Sequence, residues 1–218
     1  MKNLERLWWR TIEFGFRLLY NEMAWTYDLV AWTVSLGQWH NWQRAALPYL
    51  NVEADAYVLE LAHGTGNLQL DLYAAGYQRV ALDLSPAMGR IAQRKLQRHH
   101  LQAPLVRGLG QHLPFADHTF DAIVSTFPTP FIIEPETLRE AHRVLKPRKR
   151  LVIVPMGVLT GGGVLKNTLE AAYQVTGQRG PWPVEIAQRF TDAGFNIEVF
   201  SHPCPYSIAT VLVATRNS

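Results

Sequence analysis

Cysteine is almost absent: Cys204 stands alone in 218 residues. That excludes an internal disulfide framework and a cysteine-built zinc site, and it suits a reducing compartment. Long apolar runs are missing as well, none approaching the roughly 18 residues a membrane-spanning helix requires. No small-residue cleavage site follows an apolar stretch near the N-terminus, so no secretory signal is read there. Charge of one sign is scarce too, with 21 basic against 18 acidic side chains and a net charge of +3. The pI of about 9.1 reflects that small excess. Without a clustered Lys/Arg stripe, nucleic acid is not an expected partner. The histidines lack a ligand arrangement: His99 and His100 are adjacent at a helix end, and His112 and His118 flank a loop. No metal is expected. What is present is 48% hydrophobic residues with 18% charged, enough for a sizeable core. The reading is a cytoplasmic α/β protein with residues 1–218 in one domain.

The aromatic residues are unevenly spread. Six of the seven Trp lie within the first 42 residues, in a stretch without strand alternation. Leu4, Trp8, Ile12 and Phe16 recur at helical spacing, and helices are expected over about Leu4–Tyr20, Trp25–Ser35 and Gly37–Tyr49. Residues 1–50 thus form a helical N-terminal extension. From Ala56 the pattern changes to strands alternating with helices. Strands are expected at Tyr57–Leu61, Val80–Leu82, Leu105–Val106, Phe120–Ser125 and Leu151–Val154. Helices are expected to about Ala75, over Pro86–His99 and over Thr137–Leu145, the last stopped by Pro147. This alternation predicts a Rossmann-like, doubly wound, mostly parallel sheet. A helix at Val184–Ala193 ends at Gly194, and Phe195–Phe200 and Ile208–Ala214 follow with too little between them for a crossover. They are expected to pair antiparallel. Residues 157–182, with three successive glycines at 161–163, read as a lid-like insertion.

The segment Val58-Leu59-Glu60-Leu61-Ala62-His63-Gly64-Thr65-Gly66 sits at a strand-to-helix junction. Glycines there let the backbone approach a ligand and expose amides at a helix N-terminus. Asp83 ends the next strand, 17 residues after Gly66, where a carboxylate can accept both hydroxyls of an adenosine ribose. Two cofactor classes use this geometry. The dinucleotide pattern needs glycine at 62, 64 and 67, where the chain has Ala62, Gly64 and Asn67. A Glu-x-Gly-x-Gly-x-Gly pattern fits better, with Ala62 its one miss.

Four stretches in order, Val58–Gly66, Val80–Met88, Leu113–Ser125 and Leu138–Pro155, strongly resemble class I S-adenosylmethionine-dependent methyltransferases. Together they span about half the chain. Within that family the chain is most similar to small-molecule, quinone and lipid methyltransferases, because Tyr27-Asp28-Leu29 with Ser35-Leu36-Gly37-Gln38-Trp39 resembles the stretch before the glycine motif in quinone-methylating enzymes.

The resemblance implies S-adenosyl-L-methionine as cofactor and a role for each matching residue. Glu60 would set the turn and face the ammonium of the methionine part, with Gly64 and Gly66 letting that part lie on the backbone beside Ala62 and His63. Asp83 would hold the ribose, Leu84 and Met88 would pack on the adenine, and Gly108–Gln111, including Leu109 and Gly110, would flank its far side. Ser125–Phe127 would face sulfonium and substrate, and Tyr27 would cover the cofactor. Three departures stand out. Ala62 replaces the first glycine, Leu109 stands where relatives often carry an acidic residue, and Arg148-Lys149 replaces a Gly-Gly turn.

The expected activity is methyl transfer to an apolar small molecule, quinone or lipid-type acceptor. Such a displacement chiefly needs an in-line nucleophile and exclusion of water, so no catalytic residue is assigned. Tyr20, Tyr27, His63, His112 and Tyr173 are candidates for positioning the acceptor, and residues 127–131 for an apolar pocket. The competing function is a binding or regulatory protein that keeps the fold without turnover; a nicotinamide-dependent oxidoreductase is disfavoured by Asn67. The basic run Arg143–Arg150 reads as a solvated helix end. The Trp-rich extension reads as packing over the site, with peripheral membrane contact through the first helix as its alternative. The oligomeric state is left open.

Overall fold

Seven strands make one sheet in the order β3-β2-β1-β4-β5-β7-β6. The structure, a computed structural model, describes residues 24–160 and 184–218. A 3-10 turn at Ala24–Thr26 leads into α1 (Tyr27–Val34), followed by α2 (Trp39–Arg44) and a 3-10 turn at Leu47–Tyr49. Then come β1 (Tyr57–Leu61), α3 (Asn67–Ala74), β2 (Gln78–Asp83), α4 (Pro86–Arg98), β3 (Leu105–Arg107) and β4 (Phe120–Thr126). After a 3-10 turn at Pro130–Ile133 follow α5 (Pro135–Val144), β5 (Leu145–Leu159), α6 (Val184–Asp192), β6 (Phe195–Cys204) and β7 (Ser207–Arg216).

The expected doubly wound sheet is observed. Strands β1 to β5 pair in parallel, and β7 is antiparallel to both β5 and β6. Strand alternation sorts the core onto two faces. Leu59 and Leu61 face one cluster with Leu138, Ala141 and Phe190, while Val58 faces the other with Leu68, Leu72 and Trp42. A buried side chain of this size stabilises by about 1.5–3 kcal/mol. The order reverses at β1, so β2 and β4 flank its carboxyl end. That crevice is where open α/β sheets bind ligands.

Local chemistry explains most boundaries. Ser85 caps α4 by accepting from the Met88 N–H at 3.2 Å, with Pro86 at the first helical position. Gly194, at φ +86°, ends α6.

Four expectations need correction. The helix read over Gly37–Tyr49 is broken into α2 and a 3-10 turn, since Pro48 lacks an amide to continue it. Pro147 does not stop α5, which ends at Val144 with β5 following at once. Strand β5 is far longer than Leu151–Val154, because its first part leaves the ladder: Leu145 pairs with Phe120 and Arg150 with Ala122. That excursion holds Arg148 at φ +61°, the conformation a glycine would take without strain. Gly157–Leu159 belong to β5, paired with β7, so the insertion does not begin there. The rest of it, and the helix expected over Leu4–Tyr20, lie outside the described residues.

Candidate cofactor site

Strand β1 delivers the chain into a tight turn, Ala62–Gly66, that opens α3. Three alternate residues take left-handed conformations: Ala62 at φ +58°, Gly64 at φ +52° and Gly66 at φ +79°. The Ala62 N–H donates to the Leu82 carbonyl at 2.8 Å, tying the turn to β2. Ala62 therefore adopts the shape of the glycine it replaces, at a strain of about 1–2 kcal/mol. The two glycines serve different ends. A Cβ on Gly66 would lie 2.9 Å from the Ala92 Cβ of α4, whereas a Cβ on Gly64 would meet nothing within 4 Å. Packing demands Gly66, while Gly64 leaves open space above the backbone.

Asp83 closes the turn from the β2 side. Its Oδ2 accepts the Gly64 N–H at 2.8 Å, and its Oδ1 accepts the Ser85 N–H at 2.8 Å. The carboxylate is thereby fixed in orientation, and each oxygen retains lone-pair capacity for a further donor. With His63, Ser85, Gly89 and Arg107 it lines a cavity of about 390 Å³ running toward β3. His63 is buried and its Nδ1 lies 2.9 Å from the Gly64 carbonyl. Burial lowers the imidazole's pKa, against the opposing charge of Asp83.

Glu60 lies beneath the turn, 1% exposed. Its Oε2 accepts from Gln69 Nε2 at 2.6 Å. Burial pushes its carboxyl up to about 8 against that hydrogen bond, with the charges of Asp83 and Asp71 pushing the same way. A buried carboxyl of this kind favours an incoming cation strongly, because the cation relieves the desolvation penalty.

The other expected residues divide. Leu84 and Leu109 are exposed at the β2 and β3 ends. Met88, expected against the adenine, is fully buried, because it lies on the buried face of α4 with Ala92 and Leu96. Gly110 is covered by Phe131, whose ring carbon a Cβ would approach to 2.7 Å. Gln111 is bonded to Glu134 at 2.6 Å. Ser125 is fully buried and donates to the Leu61 carbonyl at 2.7 Å, so its hydroxyl joins β4 to β1. Phe127, at φ +51°, stacks on Trp39 at 3.8 Å, and Tyr27 meets Trp39 edge-on at 6.2 Å. Tyr20 and Tyr173 lie outside the described residues, and His112 is exposed.

Sequence reasoning missed several features. Asp28, noted only as part of a resembling stretch, reaches the glycine turn: Thr65 Oγ1 donates to its Oδ1 at 2.6 Å, and Lys95 Nζ donates to its Oδ2 at 2.8 Å. Trp42 lies flat on Gly157, where a Cβ would be 2.1 Å from the indole. Gln43, 8% exposed, donates to Thr126 at 3.3 Å, and its Oε1 and the Nε1 atoms of Trp39 and Trp42 are buried with no partner among the described residues. The basic run is not simply solvated either. Arg143 binds Glu140 and the Leu113 and Phe115 carbonyls, Lys146 pairs with Asp121 at 2.9 Å, and Arg150 bonds the Tyr49 carbonyl. Among the described residues no group of three or more His, Cys, Asp or Glu is placed to hold a metal, and no helix is long and apolar enough to cross a membrane.

A family model described as a methyltransferase domain matches residues 58–148, the segment from β1 through the turn before the main run of β5. Over that segment the chain matches a methyltransferase domain, and its fold is the one shared by S-adenosylmethionine-dependent methyltransferases. A demethylmenaquinone methyltransferase of Paenarthrobacter aurescens is 35% identical over 136 residues, covering 62% of this chain and 52% of that protein. One from Thermus thermophilus is 35% identical over 139 residues, covering 62% and 63%. The chain thus spans between half and two thirds of the length of these relatives. A putative S-adenosyl-L-methionine-dependent methyltransferase from Methanococcus maripaludis superposes with a TM-score of 0.63 at 19% identity over 89% of this chain and 92% of that one. Geranyl diphosphate C-methyltransferase from Streptomyces coelicolor, solved with Mg2+, geranyl diphosphate and S-adenosyl-L-homocysteine, gives 0.60 at 12% identity over 78% and 76%. At those identities the two structures establish the shared fold of the methyltransferase family.

Proposed function

We propose that this protein transfers a methyl group from S-adenosylmethionine to an apolar, ring-bearing acceptor of the quinol or lipid type. The observation that carries the reading is the Gly64–Asp83 pair, an open glycine backbone held at 2.8 Å by an oriented carboxylate. The fit extends to Glu60, a buried carboxyl suited to an ammonium group. Bound there, the cofactor supplies an electrophilic methyl group on a sulfonium that departs as a neutral thioether.

The chain's own residues do the rest by positioning. Glu60 neutralises the ammonium, Gly64 lets the methionine part lie against the backbone, and Asp83 accepts the ribose hydroxyls. Leu84 and Leu109 offer apolar contact to the adenine. The stack of Tyr27, Trp39 and Phe127 excludes water from the end of β4. The Gln43 Oε1 and the indole N–H groups of Trp39 and Trp42, without a partner among the described residues, suit a flat ring bearing an oxygen substituent. The names of the relatives, demethylmenaquinone methyltransferases, support the same acceptor class. Trp25 in the turn before α1 is 78% exposed and Trp32 on α1 62%, which supports drawing such an acceptor from a lipid surface.

The test is calorimetric titration with S-adenosylmethionine and S-adenosylhomocysteine, followed by turnover of a reduced naphthoquinone. Micromolar binding with methylated product is expected. Absence of binding at millimolar ligand by folded protein overturns the cofactor, and binding without turnover of quinols, phenols or lipids overturns the transfer activity.

A further inference from the structure

The glycine turn is gripped from outside by two charged residues that the proposed chemistry leaves unused. Asp28 on α1 accepts from Thr65 Oγ1 at 2.6 Å and from Asn67 Nδ2 at 3.2 Å through one oxygen, and from Lys95 through the other at 2.8 Å. Lys95 on α4 also donates to Thr65 Oγ1 at 3.2 Å and to Asn67 Oδ1. Thr65 and Asn67 flank Gly66, so the clamp closes on both sides of the left-handed residue that opens α3. Gly66 has no side chain with which to cap that helix, and its backbone presses on Ala92, one turn before Lys95. The turn therefore has two supports from α4 and one from α1, and only the charged ones can be released without a steric clash.

The same helix carries the roof. Tyr27, adjacent to Asp28, meets Trp39 edge-on, and Trp39 stacks on Phe127. One short helix thus touches the cofactor turn through Asp28 and the aromatic cover through Tyr27.

We propose that Asp28 and Lys95 are positioning residues for the cofactor: by clamping Thr65 and Asn67 they hold the glycine turn in its ligand-bearing conformation and keep α1 seated over it. This inference rests on the cofactor reading given above. The pair is part-exposed, with side-chain exposures of 44% for Asp28 and 19% for Lys95, so its grip is sensitive to salt. Burial alone would raise the Asp28 carboxyl, but the Lys95 and Thr65 hydrogen bonds and the Lys95 charge outweigh it and hold the group ionised.

The experiment is a double-mutant cycle on the full chain with Asp28→Asn, Lys95→Met and the double variant, titrated with S-adenosylhomocysteine. Each single variant is expected to weaken binding about five- to tenfold, and the double variant no further, because both remove one clamp. Raising salt from about 0.1 M to 1 M should weaken the native protein and leave the double variant unmoved. In turnover assays the cofactor KM should rise while kcat at saturating cofactor stays within about twofold. Glu136→Gln, which removes an exposed ion pair with Arg139, serves as the control that changes nothing. Unchanged affinity in both single variants, or simple additivity in the double, overturns the clamp. Failure of the native protein to bind the probe overturns the cofactor reading instead, so the two failures are distinguishable. A variant that loses thermal stability but keeps native affinity assigns the pair to folding alone and overturns positioning.

Discussion

Asp83 accepts the Gly64 N–H through one carboxylate oxygen and the Ser85 N–H through the other, both at 2.8 Å. A single side chain at the end of β2 therefore fixes the glycine turn on one side and the start of α4 on the other. Two roles fall on it, structural and ligand-facing, and substitutions should expose both.

Asp83→Ala is expected to abolish detectable binding of S-adenosylhomocysteine and to lower stability by about 2 kcal/mol, the cost of two backbone amides losing an ionised acceptor. Asp83→Asn keeps one acceptor oxygen and should recover part of the stability but little of the binding. Calorimetric titration beside urea unfolding reads both quantities. Native affinity in Asp83→Ala would remove this residue from the site.

The glycines should separate packing from ligand approach. Gly66→Ala meets the Ala92 side chain at 2.9 Å and a disfavoured φ of +79°, so it should cost about 3 kcal/mol of stability. Gly64→Ala meets no protein atom within 4 Å and should cost about 1 kcal/mol from its backbone conformation, yet weaken cofactor binding more than any loss of stability explains. Equal stability losses in the two variants would contradict this division.

Glu60 links pH to both stability and binding. Its folded carboxyl titrates at about 8 against an ordinary 4.5, so its contribution to stability is intact below pH 4.5 and is lost as pH rises toward 8. Glu60→Gln removes that loss. The variant should match the native protein near pH 4 and exceed it at pH 7 by on the order of 3 kcal/mol, while binding the cofactor more weakly. In the native protein, an ammonium beside Glu60 draws its proton off, so binding below pH 8 should release protons. Titration heats that differ between phosphate and Tris buffers would reveal this; identical observed heats in the two buffers would place the ammonium elsewhere.

Contact with lipid should run through the exposed indoles of Trp25, in the turn before α1, and Trp32 on α1. Native protein is expected to co-sediment with vesicles of phosphatidylethanolamine and phosphatidylglycerol, and Trp25→Ser with Trp32→Ser to reduce that about fivefold or more. Cofactor affinity should remain unchanged, since neither indole is among the groups that hold the turn. Equal sedimentation of the two proteins would end the proposal of contact through these indoles.

Much of this architecture was legible in the residues. The apolar runs of β1, β2 and β4, the helix opening at Pro86 and the stop at Gly194 were readable because each depends on hydrophobicity, proline geometry or glycine conformation within a few neighbours. The turn at Ala62–Gly66 and its partner Asp83 were readable because a strand end, a glycine and an acidic residue keep characteristic spacing. Strand β5 was underestimated because Pro147 carries the same local signal whether it ends a helix or rides in a bulge. Only the ladder with Phe120 and Ala122 distinguishes them.

The sequence by itself determined the alternation of elements, the amphipathic faces that sort the two cores, and the position of the glycine turn. Tertiary structure alone decided which distant groups meet. Asp28 finds Lys95 across 67 residues of chain, Gln43 finds Thr126 across 83, and Trp42 settles on Gly157 because that position has no side chain to hold it off. Periodicity and propensity register energies between near neighbours. Contacts of this range are selected by how whole faces fit, a property of the assembled layers that no local stretch encodes.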